Sequence, residues 1–212
     1  MILNIFIKMK CFAICFVVLF AFFTKAQEIN CMVLNEAEKY SGGGYNWNGN
    51  GVSHDLVLNN QTFLKKTLTG TYCSGFTFSV AFETLKKLDL LPDSIGPKLK
   101  RFQNVWYGIP KESIENQCVL ALQEMQWGRE IALGEAQEGD FVQFWRNNNT
   151  GHSVIFIDWV RDEAFNIKGI TYLSSQKHTN GIGVRTESIG GEQKNINPKR
   201  IYVGRIVNEN RN

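Results

Sequence analysis

The chain has 212 residues, 43% of them hydrophobic and 20% charged. That length supports one domain with a substantial core, or one domain and a small lobe, and the composition excludes wholesale disorder. The formal net charge of +3 sits in the first 26 residues: removing Lys8, Lys10 and Lys25 from the 23 basic side chains leaves 20 against 20 acidic ones. A nucleic-acid partner loses its electrostatic support with them.

Lys8 and Lys10 precede an almost wholly apolar run from Cys11 to Phe23, and Thr24-Lys25-Ala26 follows it. A charged start, a short apolar stretch and a small-residue exit read as a secretory signal peptide over 1–26, with cleavage after Ala26. The run is too short for the roughly 20 residues that span a bilayer, so no stable membrane anchor is expected. Residues 27–212 then form the single exported domain, secreted or periplasmic. Cys31, Cys73 and Cys118 remain, an odd number. At least one is unpaired or paired between molecules, and Cys73 is the expected free thiol. Cys31 and Cys118 are either bridged or two buried thiols.

Gln27 to Tyr40 reads as a helix with Met32, Leu34 and Ala37 inside, ended by Ser41-Gly42-Gly43-Gly44. Tyr45 to Gly51, rich in Gly, Asn and aromatics, is a loop. Beside a cleft it would contact sugar or peptide; otherwise it is a surface crossing. Leu56-Val57-Leu58 suits a short strand and Thr62 to Leu68 the end of a helix. Thr69-Gly70-Thr71-Tyr72 is a turn that leads into a helix over Ser74 to Leu90, closed near Pro92. Ile95 to Pro110 is expected to be irregular. A further helix opens at Ser113 and runs to Trp127, with Gly128 ending it.

From Ile131 the pattern becomes strands: Phe141 to Trp145, His152 to Val160, Ile170 to Gln176, Ile182 to Thr186 and Arg200 to Val207. Helices first and an antiparallel sheet second define an α+β order.

Cys73 falls at the first turn of a helix, where free N–H groups and the positive end of the dipole stabilise a thiolate. It is the candidate nucleophile; the alternative is a small buried hydrophobe. Such a thiol needs an imidazole base. The chain after residue 26 offers His54, His152 and His178. His152 opens a strand, which fixes a ring better than a loop does. If the following turn centres near Ala164, His152 lies opposite Gln176, whose amide oxygen can accept the other ring N–H. Ser174 shares that face and is the second choice for the third residue. Backbone N–H groups of Cys73 and Ser74 are the candidate oxyanion donors. Gly75 would admit a close backbone approach, and Ser74 would cap the helix. The scattered Cys and His residues lack paired metal-ligand spacing, and Gly42-Gly43-Gly44 lacks the strand, lysine and helix of a phosphate loop, so neither metal nor cofactor is expected.

Tyr72-Cys73-Ser74-Gly75-Phe76, then Glu138-Gly139-Asp140-Phe141-Val142-Gln143-Phe144, then Gly151-His152-Ser153-Val154-Ile155-Phe156 resemble the papain-like cell-wall peptidases and amidases of the NlpC and CHAP type. The resemblance covers about Thr69 to Gln176. It implies a papain-like α+β core, with Cys73 as nucleophile, His152 as base and acid, and Gln176 or Ser174 as the orienting residue. It further implies hydrolysis of an amide bond in peptidoglycan or a related peptide, with a protein inhibitor as a candidate partner. Two departures stand out. Many NlpC-type enzymes carry an aspartate before the cysteine, associated with a free amine on the substrate, whereas here Tyr72 occupies that position. An amidase-type cut, or one within an intact stem peptide, is then favoured over a requirement for a free N-terminal alanine. The second is the long segment Leu91 to Leu133, in which Trp106, Tyr107 and Trp127 are either substrate contacts or core. Two other functions fit the same sequence: a non-catalytic wall- or glycan-binding module using Tyr45 to Gly51, and acyl transfer by the same thiol.

Overall fold

The computed structural model describes residues 27–208. The expected signal peptide, 1–26, lies outside the described residues. Residues 27–37 are helical (α1). Ile29, Val33 and Ala37 supply the buried face, one turn apart, rather than the expected Met32 and Leu34, which pack at its margin. Two glycines, Gly42–Gly43, form the short strand β1. Leu56–Leu58 (β2) and Gln61–Leu64 (β3) make a separate hairpin. The second of these replaces the helix end expected at Thr62 to Leu68, since Asn59 and Asn60 adopt positive φ and turn the chain directly back.

Helix α2, Cys73–Lys87, is buried almost all round its first three turns, with Phe76, Phe78, Val80, Phe82 and Leu85 enclosed. Lys86 and Lys87 occupy its last turn, where they suit the dipole. Helix α3, Pro97–Trp106, fills a stretch expected to be irregular. Gly96 precedes Pro97 at the first helical position, and Leu99, Phe102, Val105 and Trp106 line one face. The interleaved Lys98, Lys100 and Arg101 hide that periodicity in the sequence. Helix α4, Cys118–Met125, starts later than expected, after a 3-10 turn over Lys111–Ser113.

Strands β4 (Gly128–Ile131), β5 (Phe141–Arg146), β6 (Gly151–Arg161), β7 (Ile167–Gln176), β8 (Gly181–Ser188) and β9 (Ile196–Ile206) follow. With β1 they form one seven-stranded sheet in the order β1-β8-β7-β6-β5-β9-β4, antiparallel at every pairing. Gly128 therefore begins an edge strand rather than only ending a helix. Both sheet faces are covered. Phe141, Ile155, Leu173 and Ile206 pack into the helices, while their alternates Val142, Phe144, Val154 and Tyr172 build a second core. The fold is α+β, helices against a large antiparallel sheet.

Two details fix the site. In the β6–β7 hairpin Ile155 pairs with Leu173 and Arg161 with Ile167, both centred on Ala164. Between them Ile157 is an extra residue on β6 and Lys168 one on β7, so the two bulges cancel. Continued inward, that register sets His152 opposite Gln176. At the start of α2, Thr71 shares a 2.7 Å hydrogen bond between its Oγ1 and Ser175 Oγ, and its N–H donates to the Gly44 carbonyl at 3.0 Å. The turn before Cys73 is thereby tied to the end of β7.

Candidate active site

The residue preceding α2 is Tyr72, in extended conformation, and no side chain caps the helix start. Ser74, expected as a cap, instead lies inside the first turn, its Oγ 3.9 Å from Cys73 Sγ. The first amides of α2 have no side-chain cap, which leaves them available to an anion. Gly75 is required here. A Cβ at that position would stand 2.3 Å from the Gly51 carbonyl carbon and 2.5 Å from the Asn50 oxygen. The loop Tyr45 to Gly51 thus crosses directly over the helix start, and Tyr107 anchors it by donating from its hydroxyl to the Asn50 carbonyl at 2.6 Å.

Cys73 and His152 line one cleft of about 150 Å³, together with Ser74, Gln117, Gln143 and Ser153. Burial alone would raise the Cys73 pKa. The His152 imidazole, by charge and by a side-chain hydrogen bond, outweighs it, helped by the Ser153 backbone N–H and the Ser74 hydroxyl, and the thiol falls to about 7. Cys118 supplies the contrast inside the same protein: buried without such partners, it is pushed up to about 12. Cys31, Cys73 and Cys118 are all free thiols, Cys31 exposed and the other two buried, so no Cys31–Cys118 bridge exists.

His152 Nε2 and Gln176 Oε1 are 3.0 Å apart. Gln176 accepts through that oxygen, so Nε2 carries a proton and Nδ1 is the nitrogen left to share one with the thiol. Ser174 does not compete for the role. Its hydroxyl donates to the Ser153 carbonyl at 2.7 Å and is fully buried. The imidazole is also walled in: Phe144 and Tyr172 hold it at centroid distances of 5.7 and 5.5 Å, both near edge-on. Tyr172 in turn donates to Glu187 at 2.9 Å, and Arg146 clamps that carboxylate with two bonds of 2.7 and 2.6 Å. The ring has little room to turn.

The other two histidines are elsewhere. His54 stacks on Tyr40 and lies 3.4 Å from Glu83, and His178 sits exposed on the 3-10 turn Lys177–Thr179. Among the aromatic candidates, Trp106 and Trp127 belong to the core, Trp106 donating to Thr77 Oγ1 at 3.1 Å, and only Tyr107 reaches the cleft. Trp47, from the Asn/Gly loop, and Trp145 also line it. Trp47 is 63% exposed and stacks on Tyr72 at 5.0 Å. Tyr72 points its hydroxyl to the Gly49 carbonyl and is not part of the cleft lining.

Asp140 of the Gly-Asp strand motif has a structural task. Fully buried, it takes two bonds of 2.7 Å from Arg205 on β9, one of 3.0 Å from Asn30 on α1 and one of 2.8 Å from the Gln137 N–H. Gln143, Ser153, Gln117 and Trp145 were not singled out as cleft residues by sequence reasoning. Gln143 had a signal: it is the one polar residue in the run Phe141-Val142-Gln143-Phe144-Trp145 and is 1% exposed. Among the described residues no three His, Cys, Asp or Glu side chains cluster as metal ligands, and no helix is long and apolar enough to cross a membrane.

No family model, no curated protein and no solved structure matches this chain.

Proposed function

We propose that the protein is an exported cysteine hydrolase with a papain-like core that cleaves an amide bond in peptidoglycan or a related peptide. The observation that carries the reading is the lowered Cys73 thiol, held down by an imidazole whose second nitrogen is fixed by Gln176. A buried cysteine serving only as packing has no use for such an arrangement; Cys118 lacks it.

In this reading the Cys73 thiolate attacks the carbonyl carbon, and the oxygen takes up negative charge against the N–H groups of Cys73 and Ser74. The imidazolium of His152 gives its proton to the leaving amine as the C–N bond breaks, leaving an acyl thioester. Water then loses a proton to His152 and attacks that thioester, releasing the acid and restoring the thiol pair. Gln176 keeps the ring in register without adding charge. Tyr45 to Gly51, with Trp47, forms one lip of the cleft.

Mass spectrometry of wall digests treated with the protein reports bond and activity together. The expected result is a new free carboxyl and amine at one position, lost in Cys73→Ser. Full amide cleavage by that variant, on a substrate the parent cuts, would overturn the proposal.

A further inference from the structure

Gln117 is held in an unusual state beside the nucleophile. Its φ of 34° and ψ of −100° lie in a region that L residues rarely adopt, and strain of this kind collects at functional sites. The backbone is pinned: Gln117 N–H donates to the Ser113 carbonyl at 2.8 Å, and its own carbonyl accepts from Ala121 at 3.0 Å. The side chain lies against Gly108, where a Cβ would come within 2.9 Å of Nε2. Its Oε1 is 3.4 Å from the Ser153 hydroxyl, which donates at 2.5 Å to Oε1 of Gln143. The same Ser153 presents its backbone N–H to Cys73. Two carboxamides are therefore gathered on one serine next to the thiol.

The rest of the lining is equally free of charge. Apart from Cys73 and His152 it consists of serines, glutamines, a glycine and aromatic side chains, Tyr107 among them held neutral by its burial. The charged groups nearest in the sheet are already matched, Arg146 by Glu187 and Arg200 by Glu115. Among the described residues no carboxylate lines the cleft.

We propose that Gln117, with Gln143, is a specificity-determining residue that restricts the site to acyl groups with no charge beside the scissile carbonyl. The acyl residue is then capped or internal to a chain, and its amide is read by the glutamine carboxamides. A free α-ammonium is rejected. Each carboxamide spends one N–H on a backbone carbonyl, Gln117 on Ile114 at 3.3 Å and Gln143 on Phe144 at 3.4 Å, and keeps a second N–H and an oxygen lone pair for a neighbouring amide; neither neutralises an ammonium stripped of water. The inference rests on the thiol-hydrolase reading and narrows its substrate class.

The test uses two probes, alanyl chloromethyl ketone and N-acetylalanyl chloromethyl ketone, whose chloride the Cys73 thiolate displaces. The ammonium of the first lies next to the attacked group, so it enters the cleft whichever subsite the alanine takes. Alkylation rates are normalised to those of 2-mercaptoethanol. The acetylated probe is expected to be favoured by about tenfold or more, and Gln117→Glu to erase or reverse that preference. Equal normalised rates in the parent protein, or faster reaction of the ammonium probe, would overturn the inference, and this comparison stands even where Gln117→Glu does not fold. Alkylation needs no turnover. Selective labelling without amide cleavage would remove the hydrolase reading and leave the specificity inference in place.

Discussion

Replacing His152 by alanine should raise the Cys73 pKa by two units or more. In the parent protein the thiol is at about 7, against an ordinary 9.0, although burial pushes it the other way. Without the imidazole, burial dominates, opposed only by the Ser153 N–H and the Ser74 hydroxyl; the same balance leaves Cys118 at about 12. A displacement of two units corresponds to about 3 kcal/mol of lost preference for the anion. At pH 7 the thiolate fraction drops from about one half to about one in a hundred. The remaining thiolate is more nucleophilic by about six- to tenfold, so the labelling rate at that pH falls only about five- to eightfold. The midpoint of the pH profile is the cleaner readout. Iodoacetamide labelling, resolved by peptide mass spectrometry so that Cys31 does not interfere, should show Cys73 reactivity rising through about pH 7 in the parent. In His152→Ala the rise should come at or above pH 9. A variant that keeps its fold by circular dichroism and still titrates near pH 7 would refute the assignment of the imidazole as the group that makes the thiolate.

Two further outcomes follow from separate parts of the structure. Gln176→Ala removes the acceptor at 3.0 Å from His152 Nε2; under the proposed hydrolase mechanism, in which this residue orients the base and does not hold substrate, amide cleavage should fall by about 10- to 100-fold while KM and the melting temperature move little. Asp140→Ala leaves Arg205 buried without its carboxylate and takes one of two acceptors from Asn30; urea unfolding should show a loss of about 3–5 kcal/mol. Retained stability would mean that this motif aspartate has a different task.

Much of the site lies open in the sequence because its parts are local. A cysteine one residue inside a helix start, and a histidine at the mouth of an apolar strand, are both read from short-range pattern. Gln176 was reachable by counting back through a hairpin, and the count succeeds because the bulges at Ile157 and Lys168 offset each other. Either bulge alone would have moved every side chain of β7 to the opposite face near the site. Choosing Gln176 over Ser174 required coordinates, since Ser174 spends its proton on the Ser153 carbonyl.

The misreadings share a cause. Helix α3 carries its buried face among lysines and an arginine, and β3 is a four-residue strand that pairs only with β2 and packs on α2 through Phe63. Ser74 has the chemistry of a cap but stands two residues too late, after Tyr72. Trp106 and Trp127 were not misread: of the two alternatives the sequence left open, substrate contact or core, they are core residues.

By itself the sequence determined an order of helices before an antiparallel sheet, a thiol at a helix start, and an imidazole with an amide across a hairpin. Periodicity and turn residues encode these, and both act over a few residues. Only the tertiary structure decided that the thiol and imidazole meet, that Asp140 is bound to Arg205, and that Gln117, Gln143 and Ser153 line one cleft with the sulfur from three separate segments. Contacts between distant segments are set by how whole faces pack, and no short window of residues records that.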